Sequence, residues 1–395
     1  MSTLKVGAIR GVSASSDAIT VANDGTCIAN VTNKPNRNII INGAMEVAQR
    51  GTTSTASGFA TLDRFLVLHS GTDEAPTQEQ ADVAAGTTPY TLGFRKSLKI
   101  TNGNQTSGAG AADYILINYK TESQDIAKSG WNYKDPNSFI TFSFWVKSSV
   151  AQNFYVRTIN DDTPKQRYAF ETGSLTADTW TKVTKTIPGN SNLVFNNDNG
   201  IGLYFRFYLF RGTNHTSNSV NLNQWETHNS SQNVPDVTST WYTTNDATFE
   251  MTGVQLEVGS VATDFEHRSF AQEFLLCQRY YQEVLFNEQN TGGGILRASN
   301  SNNFQQPASI QQFVHMRASA SGAVISSNSL VYCRRLNGSS SDITASVSHA
   351  GGTTHGFINI RLTGTSSGTF TNEEPYVWWC RESDGQIMFS QDAEL

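Results

Sequence analysis

The chain has 395 residues, more than one compact domain usually holds, so two or three units are expected. Charged residues make up 16% and the net charge is −6, with no cluster of Lys and Arg, which argues against phosphate neutralisation and so against nucleic acid as a partner. No window approaches the roughly 18 apolar residues of a membrane-spanning helix, and the first residues lack the apolar core of a signal peptide. The expectation is a soluble chain that inserts in no membrane.

Residues 1–35 carry two short strand patterns. Leu4, Val6 and Ile9 fall in the first, while Ala18–Ala22 and Cys27–Val31 flank the turn Asn23-Asp24-Gly25. Asp-Gly between apolar runs signals a hairpin. A lone hairpin is barely stable in water, so this arm is expected to pair with a neighbour or dock on a larger assembly.

From 36 to 268 the chain reads as strands separated by Gly-, Asn- and Asp-rich turns. The candidates are 38–42, 62–68, 95–100, 114–119, 138–147, 153–158, 180–186, 202–210 and 248–258. In the fifth, Phe142, Phe144 and Val146 alternate with Thr141, Ser143 and Trp145, the period-2 pattern of a sheet with one buried face. No helical period intervenes, so the pattern argues for an all-β, jelly-roll sandwich. The loops 70–93 and 213–246 are long and polar, the kind of segment that carries binding on a rigid sandwich.

A helix follows over 269–287. Ser269 and Gln272 have capping-box spacing. Phe270, Phe274, Cys277, Tyr281 and Val284 then step by four and three, which places them on one seam, an oligomer or domain interface. Their aromatic bulk favours docking on a sandwich near a subunit interface over a free coiled coil. Residues 288–395 begin with a Gly- and Asn-rich linker and continue as a smaller C-terminal β-sandwich domain. Its last pattern, Tyr376–Arg381, is expected to pair with Gln386–Ser390 across Ser383-Asp384-Gly385.

Cys27, Cys277, Cys333 and Cys380 lie far apart with no CxxC pair, so no thiol metal site is expected. Cys333 and Cys380 could pair within one domain or remain free thiols. No cofactor motif occurs. Asp161, Asp162, Glu226, Glu373, Glu374, Glu382 and Asp384 stand in no recognisable catalytic sequence and read as solvated loop acids, so no catalytic residue is assigned. Asn196–Gly200 has oxygen donors for calcium but reads as a turn. Sugar binding needs aromatic faces beside amide and hydroxyl groups. Trp131 with Tyr133, Trp225 with His228, and Trp241 with Tyr242 meet that description in polar surroundings.

Three segments resemble a recurring pattern in structural proteins of tailed bacteriophages, especially those of marine bacteria and cyanobacteria. They are Asn38–Gly51 followed by Thr61-Leu-Asp-Arg-Phe65, Met251–Phe270 running into Cys277-Gln-Arg-Tyr-Tyr281, and the terminal Asp392-Ala-Glu-Leu395. The resemblance implies a tail fibre or other virion fibre with a carbohydrate-binding-like jelly roll. It also implies attachment to other virion proteins through residues 1–35 and assembly in the host cytoplasm. With the residue reading it points to a homotrimer contacting host-surface glycan. A head fibre, collar or decoration protein is the alternative, and a polysaccharide depolymerase the third.

Overall fold

In the computed structural model, residues 6–12, 19–21, 27–29, 36–286, 296–297, 308–311, 316–317, 321–324, 330–335, 343–349, 357–364, 375–379 and 387–395 are described. Strands β1 (Ala8–Ile9), β2 (Ile19–Val21) and β3 (Cys27–Ala29) form a small antiparallel sheet in that order. Val21 pairs with Cys27, while the Asn23-Asp24-Gly25 turn lies outside the described residues.

Twelve strands then build the sandwich. They are β4 (Thr53–Ser54), β5 (Leu66–Ser70), β6 (Thr77–Asp82), β7 (Lys96–Thr101), β8 (Tyr114–Glu122) and β9 (Phe139–Ser148). These are followed by β10 (Asn153–Asn160), β11 (Gln166–Ser174), β12 (Thr181–Pro188), β13 (Ile201–Arg211), β14 (Trp225–Thr227) and β15 (Thr248–Val258). Two six-stranded sheets result. The first runs β14-β11-β10-β13-β8-β5 and the second β12-β9-β15-β7-β6-β4.

The alternation in the sequence decides which side chains meet between them. Phe142, Phe144 and Val146 of β9 face Phe205, Phe207 and Leu209 of β13 in one core. The Phe142 and Phe205 rings stack at 4.3 Å. Full burial of such side chains supplies roughly 1.5–3 kcal/mol each. Trp145, on the opposite face of β9, packs instead with Ala44, Val83 and Phe94 in a satellite cluster. The fold is thus an all-β jelly-roll sandwich.

Segment 38–42 departs from the strand expectation. It is largely buried but joins no strand ladder, because side chains and a single main-chain carbonyl occupy its amides. Ile39 donates to the Leu256 carbonyl, Ile40 to Asn38 Oδ1, Ile41 to the Tyr119 hydroxyl and Asn42 to the Glu273 carboxylate. Strand β6 lies inside the stretch expected to be a polar loop, as does β14. Thr77-Gln-Glu-Gln-Ala-Asp82 contains no large apolar residue, and Gln78 is buried by hydrogen bonding, its amide reaching Thr61 and the Ala56 carbonyl.

Among the described residues four α-helices interrupt the strands: α1 (Thr88–Thr91), α2 (Ser123–Ala127), α3 (Thr240–Thr243) and α4 (Phe270–Gln278). The capping box at α4 forms as its spacing predicts, with Ser269 accepting from the Gln272 amide and Gln272 from the Ser269 amide. The helix is shorter than the expected 269–287, since the chain turns at Arg279 and enters strand β16 (Tyr281–Phe286). Tyr281 and Val284 therefore sit on a strand, opposite Asp392 and Phe389, and share no helical seam with Phe270.

Beyond β16 come β17 (Leu296–Arg297), β18 (Ala308–Gln311), β19 (Ser321–Val324), β20 (Leu330–Arg335), β21 (Ile343–His349), β22 (Phe357–Gly364), β23 (Pro375–Trp379) and β24 (Ile387–Asp392). They form a three-stranded sheet, β16-β24-β19, and a six-stranded one, β17-β23-β20-β21-β22-β18. The expected hairpin between β23 and β24 is absent because β16 and β19 occupy both edges of β24. Cys380 lies outside the described residues.

The chain end returns to the sandwich. Glu394, 3% exposed at its side chain, ion-pairs with Arg64, 1% exposed, and with Arg50 at 3.4 Å. Arg64 also donates to the Lys120 carbonyl at 2.6 Å and stacks 3.4 Å above the Tyr280 ring. Arg50 stacks 3.6 Å above Tyr281 and bridges to Asp392 at 3.1 Å. Lys120 Nζ donates to the main-chain oxygen of Leu395.

Candidate functional site

The aromatic residues singled out in the sequence divide sharply once placed. Trp241 and Tyr242 are fully buried. The Trp241 indole donates to the Thr248 carbonyl at 3.0 Å, and Tyr242 stacks on Phe210 at 4.2 Å while donating to Asp113 at 3.1 Å. Trp131 is also core, its indole on the Ser138 carbonyl. Tyr133 is half-buried edge-on to Phe195. Trp225 lies on β14 and turns inward against Tyr168, its indole bonded to the Pro188 carbonyl at 2.7 Å. None of these indoles is an open platform. Polar neighbours in the sequence mark the short loops and turns from which these rings reach the core.

The helix seam divides as well. Cys277 is buried beside Ile41, Val47 and Tyr280 of its own chain, and burial raises its thiol pKa well above the usual value. Phe270 is 60% exposed and Leu275 52%. Phe270 stacks on half-buried Phe274 at 5.8 Å.

His228 leads to a different surface. Along β10, β13 and β8 every second residue points away from the core, as period-2 geometry requires. Strand register then assembles rows on the outer face of the first sheet. Arg167 of β11 pairs with Ile159 of β10, which pairs with Tyr204 of β13, which pairs with Lys120 of β8. In the next row Ala169, Arg157, Arg206 and Asn118 stand side by side. Beyond them lie Glu171, Tyr155, Tyr208 and Leu116. Glu226 of β14 pairs with Arg167. His228, two residues on, continues the same edge, its amide bonded to the Lys165 carbonyl.

The segment after β13 folds back over part of this face. Val220 and Val234 pack on Leu116, Ala169 and Tyr208. Asn233, held by the His215 and Ser230 carbonyls, accepts from Arg157 Nη1. Tyr204 and Arg206 remain half-exposed beside it. Arg206 donates Nε to Asn118 at 2.8 Å and Nη2 to the Tyr204 hydroxyl, and lies 4.8 Å from the Tyr204 ring centre.

Polar satisfaction on this face is incomplete. Asn118 Nδ2, Arg157 Nε, Arg167 Nη1, Tyr208 Oη, Arg211 Nε and His228 Nδ1 are buried atoms without a hydrogen-bond partner among the described residues. A buried donor left unpaired costs roughly 1–3 kcal/mol, and native proteins hold only a few.

Electrostatics point the same way. Burial pulls the Arg157 guanidinium down to about 10, with the charges of Arg206, Arg167 and Arg211 adding to the effect. Burial lowers His228 to about 4, again reinforced by Arg157, Arg167, Lys165 and Arg206, so its ring is neutral at neutral pH. Burial would raise Glu226, but hydrogen bonds from Asn221 and Arg167 outweigh it and lower its pKa. Perturbed groups gathered on one face mark a candidate site. Neither the Arg row nor Tyr204 was singled out in the sequence. Arg157, Arg167 and Arg206 are scattered along the chain, and only strand register brings them together.

The other acids have structural duties. Asp161 pairs with Lys165 at 2.6 Å, and Asp162 accepts from Ser123 at 2.8 Å and the Asn196 amide at 2.9 Å. Asp198 caps the Gly200 amide in the Asn-rich turn. Glu373, Glu374, Glu382 and Asp384 lie outside the described residues. No group of His, Cys, Asp and Glu that could hold a metal ion occurs among the described residues.

No protein-family model matches the chain, and no curated protein matches it. Among solved structures it is similar to the enzymatically active domain of tailspike protein 4 from bacteriophage CBA120, at 9% identity and TM-score 0.30, over 57% of this chain and 22% of that one. The chain thus spans about a fifth of that tailspike's length. It is also similar to the N-terminal cellulose-binding domain of Cellulomonas fimi β-1,4-glucanase C, at 10% identity and TM-score 0.26, over 55% of this chain and 99% of that one. A family 11 carbohydrate-binding module from Clostridium thermocellum is similar at 10% identity and TM-score 0.25, over 54% of this chain and 98% of that one. The fold assignment itself rests on the strand pairing of this chain.

Proposed function

We propose that the chain is a non-enzymatic structural protein of a phage particle whose sandwich contacts a host-surface glycan through the outer face of the first sheet. The observation that carries the binding reading is the pairing of a half-exposed ring, Tyr204, with the donors Arg206 on the same strand and Lys120 on the neighbouring one. A pyranose ring needs an aromatic face for its C–H side and fixed donors for its hydroxyls. Rigid strands hold both in register. The virion reading is supported by the three sequence segments that resemble phage fibres, and attachment falls to residues 1–35. The homotrimer is supported by the exposed Phe270 and Leu275 on α4, which a second copy would cover.

A glycan array with the intact protein and Tyr204→Ala tests the binding reading. The expected result is binding by the wild type and a loss of about tenfold in the variant, equivalent to about 1.4 kcal/mol. Wild-type binding that Tyr204→Ala leaves unchanged removes the site, and no binding to any host-surface glycan removes the reading.

A further inference from the structure

We infer that the ligand of this face is an acidic saccharide whose oxyanion seats among Arg157, Arg167 and His228. The inference rests on the glycan-binding reading and names the class of sugar.

Arg157 and Arg167 stand on the neighbouring strands β10 and β11, and His228 directly follows β14, which pairs with β11. Arg167 lies opposite Ile159, and Ala169 opposite Arg157, so the two arginines are diagonal neighbours on one face of an antiparallel pair. Such diagonals lie within reach of one another's long side chains, and both arginines act electrostatically on His228. His228 follows Thr227, which pairs with Gln166, so it shares the outer face with Glu226 and Arg167.

Each presents a buried nitrogen that has no hydrogen-bond partner among the described residues: Arg157 Nε, Arg167 Nη1 and His228 Nδ1. The neighbouring acceptors are already engaged. Asn233 takes Arg157 Nη1. Glu226 takes Arg167 Nε and Nη2 together with Asn221. Glu171 takes Asn153, and Asp236 takes Thr216 and Asn218.

Charge on the face is one-sided. Arg157, Arg167, Arg206, Arg211 and Lys120 stand against Glu171, Glu226 and Asp236, although the whole chain is acidic at −6. Like cations held together out of water are costly unless an anion joins them. A planar guanidinium edge suits a carboxylate or sulfate oxygen pair. Tyr204 and Arg206, on β13 in the rows of Arg167 and Arg157, supply the ring-stacking and hydroxyl contacts that make the anion a sugar's rather than a bare ion.

The test measures affinity of the intact protein for matched polymers: alginate against its carboxyl-reduced form, and dextran sulfate against dextran. Binding to alginate assigns a uronic carboxylate, binding to dextran sulfate alone a sulfate ester, and either supports the inference. The acidic member is expected to bind at least tenfold more tightly than its neutral partner. His228→Gln and Arg157→Gln should each erase at least tenfold of that preference, while Lys182→Gln, exposed on the second sheet, should leave it intact. If Arg157→Gln fails to fold, Arg167→Gln and His228→Gln carry the comparison. Equal binding of acidic and neutral polymers, both weakened by Tyr204→Ala, overturns the inference and leaves the glycan-binding reading standing. Acidic-polymer binding untouched by all three variants overturns the inference. Binding of neither member of either pair, with an empty glycan array, removes both.

Discussion

Replacing Glu394 with Gln keeps the shape of the side chain and removes one charge from the joint between the chain end and the sandwich. The carboxylate lies 3.4 Å from Arg50 and in contact with Arg64. At an effective dielectric of about 20, a charge pair at that separation is worth about 5 kcal/mol before desolvation is counted. Desolvation offsets several kcal/mol of this in the intact joint. In the variant Arg64 stays buried and charged, and keeps the Lys120 carbonyl, the faces of Tyr280 and Tyr119 and at best a neutral amide oxygen in place of the carboxylate. Breaking one partner of a buried pair typically costs 3–5 kcal/mol, and the retained ring contacts hold the expected loss near the lower end, about 3 kcal/mol. Urea unfolding followed by tryptophan fluorescence reads this as a lower midpoint at unchanged slope. Lys96→Met is the control, because Lys96 and Asp82 form an exposed pair, 34% and 82% accessible, of the kind worth at most about 1 kcal/mol. A loss below about 0.5 kcal/mol for Glu394→Gln would refute the view that the chain end is an integral part of the sandwich.

Two further outcomes follow from burial. Trp241→Ala is expected to cost about 3–5 kcal/mol as a large-to-small core change, so lost glycan binding in that variant should track the lost folded fraction in thermal melts; a native melting temperature with binding gone would return Trp241 to the binding surface. Asp63 is buried, and burial raises its pKa from 3.8 to about 6 against the opposing Gln49 and Arg50 contacts. Its folded carboxyl binds more protons than the unfolded one between about pH 4 and 6, so its contribution favours the fold below that window and is lost as pH rises through it. The span of about 2 units corresponds to roughly 3 kcal/mol. Asp63→Asn should flatten the stability profile between pH 4 and 6, and superimposable profiles would disprove the assignment.

The sandwich was legible because alternation in strands such as 138–147 and 202–210 forces one face inward whatever the neighbours are. Segment 38–42 was misread because an apolar run says that a segment is buried but not where its amides find acceptors. Here those acceptors are the Asn38 and Glu273 side chains, the Tyr119 hydroxyl and one main-chain carbonyl. The four-three spacing from Phe270 was genuine through Cys277, about two helical turns, and accidental beyond Gln278, since a strand displays Tyr281 and Val284 equally well. The site was hardest to read. A Trp among Ser and Thr looks exposed in one dimension, and Trp241 shows that such residues can fill a core. Arg157, Arg167 and Arg206 gain meaning only from cross-strand register, which a single sequence does not display.

The pairing of β16 with β24, Tyr281 opposite Asp392 through Phe286 opposite Ile387, means that the chain leaves the sandwich and comes back at neighbouring positions. Everything from 287 to 386 is therefore inserted between two adjacent strands of one ladder. Strand β19, from within that stretch, takes the other edge of β24, so the ladder is completed by the segment it encloses. The joint of Arg50, Arg64 and Glu394 locks the returning strand, and Arg317 adds a tie from within the stretch through the Asn199 and Ala393 carbonyls, so residues 287–386 are anchored to the sandwich at more than their two ends.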